Sequence, residues 1–303
     1  FTYWLPVAVI GKVFHSMIAA YAGLIIYAYI WIALTAILVM HYCGGKRNLL
    51  TGLLLLLFIP PIIFNHIIFQ NILGWYRCWC ATDPILFGSP TMLYNCTFIY
   101  NQTLPVVMSI PIMLRMRKYP GIVSMLLSMI FYYGPIETVP LIPVVAVLVL
   151  KNLRCLKTLE FWTAVTMALL VSIFFAGNSN GTHIKGIWED EYSVVQIIVM
   201  FFAYICISIA VFLPFIWSRI KSNCYFWILT FSTLMLSFAL SSYNSYDYGW
   251  KGPVALMFVI YLEMAYICAQ INWEESKLKT MTLSMVLIAG VLSGFEPYLM
   301  HIY

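Results

Sequence analysis

The sequence predicts an all-α fold, a polytopic transmembrane helical bundle of about ten membrane segments, some of them short or broken. Three observations carry that expectation. First, the 303 residues are 63% hydrophobic and 9% charged, with a mean hydropathy of +0.92. A soluble domain carries about 25% charge, so one water-soluble core could not hide this much apolar surface. Second, twelve of the sixteen Lys and Arg residues fall in five clusters: Lys46-Arg47, Arg115-Arg117-Lys118, Lys151-Arg154-Lys157, Arg219-Lys221 and Lys277-Lys279. Basic residues gathered beside apolar stretches mark the cytoplasmic loops of membrane proteins. Third, ten crossings from an outside start put all five clusters on one face, and seven of the eleven acidic residues on the other.

In chain order, a full span needs about 20 residues. The segments 17–42 and 49–69 meet that length readily. The next three, 103–114, 119–134 and 138–150, fall short and hold Pro105, Pro111, Pro120, Pro135, Pro140 and Pro143. Each proline removes a backbone donor and disfavours helix in the residue before it, and lipid cannot satisfy the freed carbonyls. This region is therefore expected to pack inside the protein or to line a wet cavity. The segment 160–176 follows, and 193–217, 224–243, 252–271 and 279–296 complete the set. The chain reads as one transmembrane domain, 1–303, with the outer loop 70–102 long enough to fold over the membrane as a small lid. Phe1 opens straight into apolar sequence with no initiator Met, so the chain is expected to be a fragment lacking its N-terminus.

The net charge of +5 beside apolar spans points to anionic lipid headgroups and not to nucleic acid. The eight cysteines give no zinc-type spacing, and the histidines show neither H-x-x-x-H nor H-E-x-x-H. A P-loop, a nucleophile elbow and a G-x-G-x-x-G motif are likewise missing from the sequence.

Residues able to carry chemistry sit mainly on the outer side. The uncharged loop Gly88 to Pro105 is rich in amides and hydroxyls, and Asn101 and Gln102 there suit a neutral polyhydroxylated ligand. The same residues also suit a capped helix entry before Pro105. Lys251, close after Asp247, lies where a lipid-linked phosphate would present its charge, or where a lysine snorkels beside an aspartate. Asp83, Glu137 and Asp247 are outer carboxylates. They can hold a divalent cation or supply a general base if the fold joins them; otherwise they are three separately solvated loop acids. Glu263 is the one acid well inside a span, paired either with polar groups of the proline-rich region or with the inner interface.

Three stretches bear a family resemblance: Tyr3-Trp4-Leu5-Pro6 through Gly11-Lys12, Ser89-Pro90-Thr91 through Asn101-Gln102 to Pro105, and Asp247 through Lys251 to Pro253-Val254-Ala255-Leu256. The chain resembles the membrane portion of bacterial polytopic proteins of the GT-C glycosyltransferase type. That resemblance implies an inner-membrane enzyme whose outward-facing site takes a polyprenyl-phosphate sugar donor for cell-envelope polysaccharide. On this reading Lys251 and Lys12 hold the donor phosphate, Asn101 and Gln102 orient a sugar, and Asp83, Glu137 or Asp247 is base or metal ligand. One departure stands out: GT-C enzymes carry an acid in their first outer loop, and here none precedes Asp83. Two rivals remain, a transporter or flippase for a lipid-linked or amphipathic solute that titrates Glu263, and a non-catalytic membrane subunit.

Overall fold

A computed structural model describes residues 5–44, 100–178, 184–186, 193–242 and 251–270, with positions 281, 284, 285 and 288. The expected segment 49–69, nearly all of the loop 70–102, and most of 279–296 lie outside these residues.

The described chain is helical apart from one small ribbon. A short helix α1 (Leu5–Val13) folds back on α2 (Met17–Tyr42) through a turn in which His15 takes φ +46°. Ser16 caps α2 by accepting from the Ala19 N–H at 3.3 Å. At its other end the Cys43 N–H reaches the Val39 carbonyl, and Gly44 turns the chain away at φ +85°, a left-handed conformation that favours glycine. The α1/α2 contact is close because its residues are small: a Cβ on Gly11 would stand 2.9 Å from the Ala20 Cβ. Gly11→Val is therefore expected to cost about 1–3 kcal/mol by overpacking. Gly177→Ala, where a Cβ meets nothing within 4 Å, should be neutral or mildly stabilising. Thermal melting of the two variants in detergent would compare them, and equal melting temperatures would refute the close packing.

The proline-rich region forms α3 (Tyr100–Arg115), α4 (Pro120–Tyr133), a single turn α5 (Pro135–Thr138), a 3-10 turn at Val139–Leu141, and α6 (Ile142–Lys151). Prolines open α4, α5 and α6, where a missing N–H costs nothing, whereas Pro105 and Pro111 lie inside α3. Protein surrounds α3 where those donors are missing: Leu104, Val106, Val107 and Ile110 are all buried. The expected span 138–150 is a broken helix, and the Ser232 hydroxyl donates to the Pro140 carbonyl at the break, at 2.8 Å.

After a 3-10 turn at Leu153–Lys157, α7 (Leu159–Asn178) lies along α4. Ser128 on α4 donates to the Ala164 carbonyl at 2.9 Å, and Phe131 meets Phe175 edge to face. Next come β1 (Ile184–Gly186), α8 (Val194–Ile205), a π-helical turn at Cys206–Ala210 and α9 (Leu213–Ile220), so the expected span 193–217 is also interrupted. The chain continues with α10 (Cys224–Ala239), β2 (Leu240–Ser242) and α11 (Val254–Gln270). β1 and β2 pair antiparallel, with Lys185 opposite Ser241.

α11 is the centre of the bundle. Its apolar residues point all round the helix axis, and most of them are buried among α2, α3, α9 and α10, as an all-round apolar helix requires. The outer helices behave in the opposite way. α2 and α7 are long and apolar enough to cross a membrane. At 26 residues and about 1.5 Å per residue, α2 is longer than a hydrocarbon core of about 30 Å. Their most apolar stretches are only 22% and 11% buried, unlike the core helix of a soluble protein. Ile18 and Leu159 are each 81% exposed, with Ile25, Tyr29, Leu169 and Ile173 beside them. Apolar surface on that scale needs lipid against it. Four further apolar helices run 10–17 residues.

Candidate functional site

The helix directions sort the side chains into two ends. Arg115 at the end of α3 donates to His41 at the end of α2. Arg219 at the end of α9 pairs with Glu263, in the second half of α11. Lys151 at the end of α6 stands 4.7 Å above the Tyr225 ring at the start of α10 and donates to Cys224 at 3.3 Å. Three of the five basic clusters therefore lie at one end, in the α3–α4, α6–α7 and α9–α10 connections, as the charge pattern predicts. The starts of α3 and α11, the turn α5 and the last turn of α10 must then lie at the other.

That opposite end gathers several of the expected residues. Asn101 and Gln102 lie in the first turn of α3, Glu137 lies in α5, and Lys251 comes just before α11. α5 touches α3, α4 and α11, and α3 touches α11. Glu137 corrects one expectation: it is 0% exposed and is not a solvated loop acid. Its single helical turn is pressed into the bundle because Pro135 and Pro140 break the backbone on either side of it. Lys251 is half-buried. Lys12 is exposed on α1, near the same end, and α1 leans principally on α2. Asp83 and Asp247 lie outside the described residues. Among the described residues no three His, Cys, Asp or Glu side chains come together.

The same end carries further hydroxyls, one of them in the hydroxyl-rich stretch Gly88 to Pro105. Thr103 on α3 and Thr233 and Ser237 on α10 are buried, and their oxygens find no hydrogen-bond partner among the described residues. Tyr261, midway along α11, is in the same position. A buried hydroxyl left unsatisfied costs about 1–3 kcal/mol, so such atoms call for bound water or a polar ligand. Their signal was available: Thr and Ser in otherwise apolar segments beside a broken helix.

At the basic end, Glu263 resolves its two expected alternatives in favour of the inner interface. It is 7% exposed, accepts from the Arg219 Nε, and accepts from the Tyr42 hydroxyl at 2.7 Å. A second Arg219 nitrogen, Nη2, donates to the Tyr42 oxygen at 3.4 Å. The guanidinium lies 3.6 Å from the centre of the Tyr266 ring. Each partner limits the motion of the other two, which holds the Arg219 fork in one orientation. Nearby, burial pushes the Cys43 thiol up to about 11, so it is not a thiolate at neutral pH. Sequence separation hides this set, since Tyr42 and Glu263 are 221 positions apart. The usable hint is that a lone acid within a span needs a cation, and the Arg219 cluster is one of five that could supply it.

Fold and exposed apolar surface together define the class: an α-helical membrane protein. Comparison with known protein families, with curated proteins and with solved structures finds no match.

Proposed function

We propose that the chain is the membrane domain of a GT-C-type glycosyltransferase, crossing a bacterial inner membrane about ten times and using a polyprenyl-phosphate sugar donor for cell-envelope polysaccharide. The observation that supports this reading best is the buried Glu137 at the non-basic end, on a broken helix among orphaned hydroxyls and close along the fold to the entry of Lys251. A carboxylate inside a membrane bundle is costly and marks a functional position. Orphaned hydroxyls suit a polyhydroxylated ligand, because each can donate and accept.

In the proposed reaction the acceptor hydroxyl oxygen attacks the anomeric carbon of the donor sugar. Glu137 takes the hydroxyl proton, and the carbon–oxygen bond to the lipid phosphate breaks with its electron pair on the phosphate. Lys251 meets the charge that grows on that phosphate. Asn101 and Gln102 orient the sugar from the first turn of α3, and Lys12 approaches the phosphate from α1. Asp83, Asp247 and a divalent cation stay part of the proposal as additional acid and charge. The transporter reading needs a freely titrating Glu263, and the hold of Arg219 and Tyr42 on that carboxylate favours a structural pair instead.

The test is hexose transfer from a polyprenyl-phosphate hexose in proteoliposomes. Lys251→Ala is expected to lower turnover about 10²–10³-fold, the range for removing one group that meets developing charge. Full turnover in that variant would remove Lys251 from the site. Uptake of the donor across the bilayer without bond formation would replace transfer by translocation.

A further inference from the structure

The basic end of the bundle holds a cleft of ≈ 810 Å³ for which the transferase reading has no use. Its walls come from α2, α3, α9 and α11 and from the connections after α3 and α9, and they include Arg115, Arg117, Lys118 and Arg219. Among the described residues Glu263 is the sole acid lining it, and its carboxylate already accepts from Arg219 and Tyr42. Four cations against one engaged carboxylate leave a strongly positive hollow, where low-dielectric helix walls focus the field.

Two of the cations are held in place from behind. Arg219 spends Nε on Glu263 and one Nη2 hydrogen on Tyr42, with Tyr266 under its plane. Its guanidinium has five N–H donors, and among the described residues the two on Nη1 and the second on Nη2 stay available. Arg115 is fixed by its hydrogen bond to Nε2 of His41. Arg117 and Lys118 are exposed on the connection that follows and are free to close on a bound group. A fixed planar fork with mobile cations opposite suits the tetrahedral oxygens of phosphate. General attraction of a basic face to a membrane would need only scattered exposed lysines, as at Lys157 and Lys221.

We propose that this cleft is a phosphate-binding site on the basic face, gripped by Arg219, Arg117 and Lys118, and filled by the phosphate of either a lipid headgroup or a soluble compound. The site lies at the opposite end from Glu137 and Lys251, and it stands or falls independently of the transferase reading.

The test uses the full chain in a neutral detergent, titrated separately with dihexanoyl phosphatidylglycerol and with inorganic pyrophosphate, with binding read by calorimetry. Saturable one-to-one binding is expected for at least one probe, weakened tenfold or more in R117A/K118A. Binding of the lipid alone assigns a headgroup, and binding of pyrophosphate alone assigns a soluble ligand. If both bind, the phosphate suffices. The control K157A/K221A removes equal charge from the same face and should bind as the parent does. Arg117 and Lys118 are exposed, so their loss leaves the fold intact, which unchanged thermal melting without ligand would verify. Arg219→Lys keeps the charge but loses the fork, and a tenfold loss is expected there too. Equal weakening in the two double variants, or saturable binding of neither probe by the parent, would overturn the proposal.

Discussion

Replacing Arg219 with Met is expected to destabilise the protein by about 2–4 kcal/mol, read as a lowered midpoint of unfolding in detergent. Breaking a buried ion pair costs about 3–5 kcal/mol because the abandoned charge stays buried, and the lower range here reflects the solvent access of Arg219. The side chains are 31% and 10% exposed on the Arg219 and Glu263 sides, so the glutamate is the one left stranded. The Tyr42 hydroxyl softens that loss by donating to the same carboxylate. Glu263→Gln should cost less, about 1–2 kcal/mol, since an amide oxygen can still accept from Tyr42 and no charge is stranded on it. The pair R219M/E263L should then be less damaging than the single Arg219→Met, because removing both charges removes the buried one. A double variant that is worse than either single, or an unchanged midpoint in Arg219→Met, would show that the ion pair is not what holds α9 against α11.

The second large effect is expected at Glu137. Glu137→Gln preserves the volume and polarity of the side chain but cannot take up a proton. If Glu137 is the base, hexose transfer should fall about 10²–10⁴-fold, the usual contribution of a positioned acid or base. Thermal melting should barely change, because the turn that holds the residue is set by Pro135, Pro140 and the 2.5 Å hydrogen bond from Thr138 to the Gly134 carbonyl. Full transfer with a lowered melting point would make Glu137 a packing residue and shift the base to Asp83 or Asp247.

Much of the molecule could be read from residue order. The limits of α2 follow from an apolar run between Ser16 and Gly44, with one end capped by a hydroxyl and the other closed by a left-handed glycine. The prolines mark where helices begin and where they break, since a missing N–H and a clash with the preceding residue are local facts. The basic clusters mark the turns that share one end of the bundle. Glu263 announces itself because a carboxylate in an apolar span needs a partner.

Other features were out of reach of the sequence. Nothing local says that Glu137 is enclosed: a turn between two prolines looks like a surface loop until α3, α4 and α11 close round it. Arg219 reads as one more cytoplasmic charge until α9 lies beside α11 and brings it to Glu263. Residue order marks Thr233 and Ser237 as polar groups in an apolar segment, but only burial shows that their oxygens, with that of Thr103, find no hydrogen-bond partner among the described residues. The sequence by itself determined the all-helical class, the proline-marked breaks between 103 and 150 and the end of the bundle at which three of the basic clusters lie, because lipid burial, backbone chemistry and charge placement act over a few neighbouring residues. Only the tertiary structure decided which side chains meet, because the pairing of Tyr42, Arg219 and Glu263 depends on how three distant helices are rotated and packed, and no short-range rule fixes that.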